Sequence, residues 1–214
     1  MTQSRSFSSD VAFTRAVKEI QTRKGSRANY ARVEESGGWQ TEVTDNLADF
    51  IAAQTSFFLA TANAEGQPYI QHRGGPPGFL KVLDKSTLAF ADFRGNQQFI
   101  TQGNLNENPK AHIFLIDYVN RQRVKIWGDA RVVEDDAALI ASLMPRAYRA
   151  RPEQAILFTI SAWDSNCPQH IPQKIDFNDV IAVVRDRERQ ITELRAQVEE
   201  LTRRLSEKDG SASQ

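Results

Sequence analysis

SFFLATANAEGQPYIQHR, residues 56–73, holds two β-prone runs around a four-residue turn. SFFLATAN (56–63) is apolar and rich in strand formers, AEGQ is turn chemistry, and PYIQHR (68–73) resumes the strand pattern. The stretch predicts a β-hairpin, and the same reading extends along the chain. FLKVLDKSTLAFAD (79–92) reads as two strands joined through DKS, and AHIFLIDYV (111–119) and RQRVKIWGDARVV (121–133) as long strands joined near Asn120. AILFTISAWD (155–164) is a last strand. Six or seven hairpin-linked strands with short helices between them predict a mainly β fold, an antiparallel barrel, and not alternating βαβ units.

The helical segments are short. Apolar Val11, Phe13, Val17 and Ile20 predict an amphipathic helix from Asp10, followed by an irregular arm, GSRANYARVEESGGW (25–39). Thr44 caps a helix over TDNLADFIAAQ with Leu47, Phe50 and Ile51 inward. RGNQQFITQGNL (94–105) reads as a helix ending before Asn108-Pro109, and DDAALIASLM (135–144) as one capped by Asp135 or Asp136 and stopped by Pro145. From Val180 the tail changes character. Val184, Ile191, Leu194, Val198, Leu201 and Leu205 alternate spacings of three and four, with Arg187 in the missing position. That is a short heptad seam flanked by charges. It is read either as a paired helix, aided by the high effective concentration inside a dimer, or as a helix lying on its own barrel.

The 27 Lys+Arg balance the 27 Asp+Glu. A neutral chain lacks the basic excess that supplies most nucleic-acid affinity, so no such partner is expected. The single cysteine, Cys167, cannot build a disulfide framework or a cysteine metal site within one chain, and three scattered histidines show no ligand spacing. The N-terminal residues lack a signal-peptide core and the longest apolar runs are as short as IFLI (113–116). The expectation is a cytoplasmic protein without metal or membrane contact.

Chemistry concentrates in three places. In QHRGGPPGFLK (71–81), Arg73 ends one strand and Lys81 begins the next, a fork and a point charge that a glycine-rich connection can bring to one edge. Gln71 offers a donor and an acceptor to a heterocycle edge. The competing reading is a Gly-Pro loop with solvated charges. In ADFRGNQQ (91–98), Arg94, Gly95, Asn96 and Gln97 stand at a helix start, whose free amides suit an anion; the competing reading is a plain cap. In AWDSNCPQHI (162–171), Trp163 can stack, Asn166 and Gln169 can read a polar ring edge, and His170 is a candidate proton donor near neutral pH. The alternative there is a crossing segment that packs Trp163 and Cys167 in the core. Arg121, Arg123 and Lys125 share one strand face, either a basic patch or a solvated one, and His112 reads as structural. Two phosphate-competent edges in one small β domain point to a phosphorylated cofactor.

LATANAEGQPYIQHRGGPPGFLKVLD, FADFRGNQQFITQGNLNENPKAHIFLID and RVKIWGDARVV, in this order, resemble the pyridoxamine 5'-phosphate oxidase-like proteins, the FMN-binding split barrels. The resemblance covers roughly residues 44–175. It implies an antiparallel split β-barrel over 44–175 (the FMN-binding barrel); with the flanking segments read above, the expected fold is that barrel with short peripheral helices and a C-terminal α-helix, divided as 1–43 (N-terminal helix and arm), 44–175 and 176–214 (C-terminal helix, a candidate short coiled coil). It also implies a homodimer with FMN at the interface and a small-molecule substrate. Carried over by position, Gln71, His72 and Arg73 meet the flavin edge and ribityl chain, and Lys81 meets the phosphate or ring edge. Asp92, Arg94, Asn96 and Gln97 contact phosphate and ribityl oxygens. With a flavin in place, Trp163, Asn166 and Gln169 are the residues of the AWDSNCPQHI segment that can fold over it, against the packing alternative given above.

The chain departs from true pyridoxamine phosphate oxidases in its GGPPG insertion and in lacking their C-terminal Trp…Arg-Leu-Arg-Asp-Arg signature. Oxidation of vitamin B6 phosphate is therefore not expected. The expectation is a flavin-dependent oxidoreductase on another small molecule. The alternatives are a flavin-binding or flavin-sensing module without turnover, and a split barrel using deazaflavin or haem, the last with only His72, His112 and His170 as axial ligands.

Overall fold

The computed structural model describes residues 6–165, 168–175 and 177–211. It falls into two units, Met1–Asp117 with Arg121–Ile171, and Tyr118–Asn120 with Pro172–Gln214.

The first unit is built on the predicted hairpin. Strand β1 (Ser56–Ala62) pairs antiparallel with β2 (Pro68–Gly74), Ser56 facing Gly74 and Ala62 facing Pro68. The turn closes because Gly66 takes φ +85° and the Asn63 side chain accepts from the Gln67 amide at 2.8 Å. Five further strands follow: β3 (Lys81–Val82), β4 (Thr87–Phe93), β5 (Lys110–Asp117), β6 (Gln122–Val133) and β7 (Pro152–Ser165). All pairings are antiparallel, in the order β2-β1-β5-β6-β7-β4-β3. The two ends of this order do not pair, yet Arg73 of β2 reaches Asp92 of β4 in an ion pair. The sheet therefore curls into a split barrel, as the sequence predicts. The inward residues of alternating strands fill it. Phe57 sits between Phe79 and Phe90 at ring distances of 5.5 and 5.1 Å, with Leu59, Ile113, Leu115, Ile126 and Phe158 around them, all essentially inaccessible. Each such side chain stabilises the fold by about 1.5–3 kcal/mol through burial. A bulge at Trp127/Gly128 lets β7 cross closely, since a Cβ on Gly128 would lie 2.1 Å from the Thr159 carbonyl oxygen.

Helices α1 (Arg15–Lys24), α2 (Arg27–Glu35), α3 (Asp45–Ala53), α4 (Ile100–Glu107) and α5 (Ala137–Leu143) complete the unit. The predicted caps hold. Thr44 Oγ1 accepts from the Leu47 amide at 3.3 Å, and Asp136 from Leu139 at 2.8 Å. Three expectations are corrected. The first helix begins at Arg15 under a Thr14 cap, after a 3-10 turn at Ser8–Val11. The irregular arm is helical as α2, because the side chain it buries is Glu34, 3% exposed and held by Arg27, Lys18 and the Ser9 hydroxyl. An apolar pattern cannot reveal a helix anchored by a buried carboxylate. The helix expected over 94–105 starts only at Ile100, because Gln97 and Phe99 adopt left-handed φ values of +58° and +54°.

In the second unit, α6 (Phe177–Ser211) runs for 35 residues. Before it, Gln173 Nε2 donates to the Val119 carbonyl at 2.9 Å and the Lys174 ammonium lies 4.1 Å from the centre of the Tyr118 ring. Among the described residues no helix is long and apolar enough to cross a membrane.

Candidate functional site: a cleft between β2 and the β4–α4 segment

Strand β2 alternates, so Tyr69, Gln71 and Arg73 turn inward while Ile70 and His72 face the other side. The three inward residues form one wall of a narrow cleft of about 70 Å³. Asp92 and the loop Gly95–Phe99 form the opposite wall, with Glu153 and Gln154 of β7 at its edge.

At the floor, Arg73 Nη1 donates to Asp92 Oδ1, with only 13% and 12% of the two side chains exposed. Gln154 Nε2 donates to the other Asp92 oxygen at 2.9 Å, a contact set by the Asp92–Gln154 register of β4 and β7. Both carboxylate oxygens are thus occupied, and Asp92 serves as an anchor for Arg73. The guanidinium also lies over Phe90, 5.8 Å from its centre. Its Nε is buried without a hydrogen-bond partner. A buried unmade donor costs about 1–3 kcal/mol, so this atom marks a place where a ligand oxygen would be stabilising.

The rim has the same character. Phe99 stands at the N-cap of α4 in a left-handed conformation and supplies no side-chain cap. The first amides of α4 therefore suit an anion. Gln97 Nε2 donates to Glu153 Oε1 at 3.3 Å and Arg94 Nε lies 3.6 Å from the same oxygen, which offsets the Glu153 charge. Asn96 Oδ1 accepts from the Gln98 amide at 3.3 Å, leaving its own amide free to donate. Thr101 Oγ1 donates to Gln71 Oε1 at 2.9 Å and so fixes which end of Gln71 remains for a ligand. Asn104 Nδ2, bonded to Thr61 Oγ1 at 3.0 Å, pins α4 to β1.

Of the residues singled out from sequence, Gln71, Arg73, Asp92, Asn96 and Gln97 line this cleft, and Arg94 stands behind it on Glu153. His72 is on the opposite face of β2, edge-to-face with Phe58 at 5.6 Å, and borders an adjoining hollow. Lys81 is not on a hairpin with Arg73. β2 and β3 lie at opposite ends of the strand order, because the connection between them buries Phe79 and Leu80 in the core and carries the chain across the barrel. Lys81 faces Ala89 of β4 and does not line the cleft.

Trp163 belongs to a second groove, with Phe50, Asn46 and Arg123. Its indole donates to the Glu42 carbonyl at 2.8 Å and its amide to Gln40 at 2.8 Å, tethering the segment before α3 to β7. Gln169 and His170 are exposed, His170 at φ +63°, while Asn166 and Cys167 lie outside the described residues. The expected basic face on β6 is divided. Lys125 is paired with Asp164 at 3.2 Å and lies over the Trp39 and Trp127 rings, Arg123 points its buried Nε at no partner, and Arg121 sits in a turn at φ +53°. His112 packs edge-to-face on Trp127 at 4.9 Å, and burial, with a smaller contribution from Lys125, pushes its pKa down to about 4.

Sequence reasoning missed Tyr69, Thr101, Glu153 and Gln154. The period of two places Tyr69 beside Gln71 and Arg73. Nothing local reveals the β7 residues, which arrive through strand pairing.

Residues 43–167 match the family model described as pyridoxamine 5'-phosphate oxidase. The chain belongs to the pyridoxamine 5'-phosphate oxidase-like family. Similar solved structures include HupZ of Group A Streptococcus, with 19% identity, a TM-score of 0.49, and 62% of this chain and 99% of that one covered. An FMN-binding protein from Syntrophomonas wolfei shares 11% identity at a TM-score of 0.45, covering 68% and 97% of the two chains. The FAD-binding protein from Mycobacterium smegmatis shares 17% at 0.40, covering 59% and 97%. No curated protein gives a significant match.

Proposed function

We propose that this chain binds FMN, works as a homodimer with the cofactor at the subunit interface, and acts as a flavin-dependent oxidoreductase on a small molecule other than a vitamin B6 phosphate. The observation that carries the reading is the buried, unpartnered Arg73 Nε in a cleft that also presents the uncapped start of α4. These are donors without acceptors, and a phosphate supplies acceptors. The residues present fit the group. Arg73, oriented by Asp92, and the α4 amides would hold the phosphate, and Asn96 and the free amide of Gln71 would bind polar oxygens along the chain or ring. Bound FMN supplies the two-electron chemistry. The protein's part is to orient it, to keep the phosphate end from water, and to offset its charge.

The test is the visible absorption spectrum of the freshly purified protein, with the released chromophore identified by mass, followed by reduction with NADH or NADPH and reoxidation by an added acceptor. A flavin spectrum with FMN released, and turnover, is expected. A Soret band, release of a deazaflavin, or a colourless protein that takes up no added FMN would each overturn the cofactor assignment. Bound FMN that neither pyridine nucleotide reduces would overturn the oxidoreductase assignment.

A further inference from the structure

Helix α6 spans 35 residues, about 52 Å at 1.5 Å per residue. One stripe of it is apolar and exposed. Val180, Val184, Ile191, Leu194, Val198 and Leu201 are 42%, 49%, 49%, 58%, 61% and 57% accessible, on alternating spacings of four and three once Arg187 is included. In heptad terms, Val184, Ile191 and Val198 fall at a, and Val180, Arg187, Leu194 and Leu201 at d. Between residues 184 and 201 the two apolar classes are segregated: every a residue is β-branched, and every apolar d residue is leucine; Leu205, at the next a position, ends the pattern.

We propose that α6 pairs in register and in parallel with α6 of a second copy of this chain, as a two-stranded coiled coil. β-branched a residues with leucine at d favour two parallel strands. The segregation itself favours the parallel arrangement, because only there does a meet a and d meet d; antiparallel layers mix the two. The flanking positions agree. In the parallel register Gln190 faces Arg195 of the partner helix and Gln197 faces Thr202, so neither pair sets like charges together. The outer face is satisfied within each helix: Arg189 pairs with Asp186, and Glu200 with Arg203 and with Arg204 at 2.7 Å. Arg187 is the polar member of the seam. Its guanidinium bonds Gln190 Oε1 at 2.8 Å, which draws the charge toward the flank while the stem remains in the seam.

The experiment uses the full chain carrying Cys167→Ser, which removes the one native thiol. Leu194→Cys, Leu201→Cys and Ala196→Cys are each oxidised at low protein concentration and resolved without reductant. All three positions are exposed, so none of the substitutions threatens folding. Residues 194 and 201 meet their own copies across a parallel seam, whereas 196 points away from it, beyond disulfide reach. Both d variants should therefore give at least about tenfold more covalent dimer than Ala196→Cys. An antiparallel pair can align at most one of the two d positions, so linkage at only one would overturn the parallel register. No linkage at either, or equal linkage at all three, would overturn pairing with a second copy. None of these readouts involves flavin, so the inference stands or falls apart from the cofactor assignment.

Discussion

Removing Arg73 should do two separable things. The Arg73–Asp92 pair is only 12–13% exposed, and taking away one member of a buried pair costs about 3–5 kcal/mol. Asp92 keeps the Gln154 hydrogen bond at 2.9 Å, which places Arg73→Ala at the low end, about 3 kcal/mol of apo-protein stability. For a domain of this size that is about 6–12 °C in Tm. If Asp92 matters only as an anchor, Arg73→Ala/Asp92→Asn, which removes both charges, should recover most of this loss and sit within about 1 kcal/mol of the parent. Cofactor binding should not recover. The phosphate loses hydrogen bonds from a charged donor, about 1.5–3 kcal/mol, so Kd for FMN should rise about 10- to 150-fold in both the single and double variants. The assays are thermal melts of apo protein and quenching of FMN fluorescence on titration. A double variant that binds FMN as tightly as the parent would refute the phosphate role of Arg73. A single variant whose apo Tm is unchanged would refute the energetic coupling to Asp92.

Other outcomes follow from single contacts. Thr101→Val removes the donor that orients Gln71, and Kd for FMN should rise by roughly 3- to 10-fold with little change in apo Tm; an unchanged Kd would show that Gln71 does not touch the cofactor. Gly128→Ala forces a Cβ against the Thr159 carbonyl oxygen and the Phe158 ring, and should cost about 3 kcal/mol or more; a variant melting within a degree of the parent would mean the β6–β7 bulge is easily displaced. His112 has a folded pKa of about 4 against 6.5 unfolded, so the unfolded chain takes up a proton that the folded one refuses. Its effect on stability is absent above about pH 6.5 and grows as pH falls toward 4, reaching about 3 kcal/mol of destabilisation. Urea melts at pH 7 and pH 4.5 should therefore show a smaller acid loss for His112→Phe than for the parent, and equal losses would rule out this residue as the source.

What the sequence revealed and what it hid divide along a physical line. Period-two alternation and local turn and cap chemistry act within a few residues, so the β1–β2 hairpin, the Thr44 and Asp136 caps and the C-terminal helix with its apolar stripe were legible. Helix α2 was hidden because its buried contact is Glu34, whose partners Lys18 and Ser9 lie outside it. The late start of α4 was hidden because Gln97 and Phe99 hold a conformation that neither residue type favours. The site shows the same division. The sequence points to both Arg73 and Asp92, yet along the chain it sets Arg73 beside Lys81, whereas in space its partner is Asp92. That difference changes the chemistry expected of the cleft. Two free cations on one edge would bind any phosphate by charge, with little direction. One guanidinium, clamped through Nη1 by a carboxylate that Gln154 holds in turn, has a fixed plane and a buried Nε–H without an acceptor. Such a donor discriminates by position more than by charge, so salt should weaken its ligand less than it would weaken an exposed pair of cations.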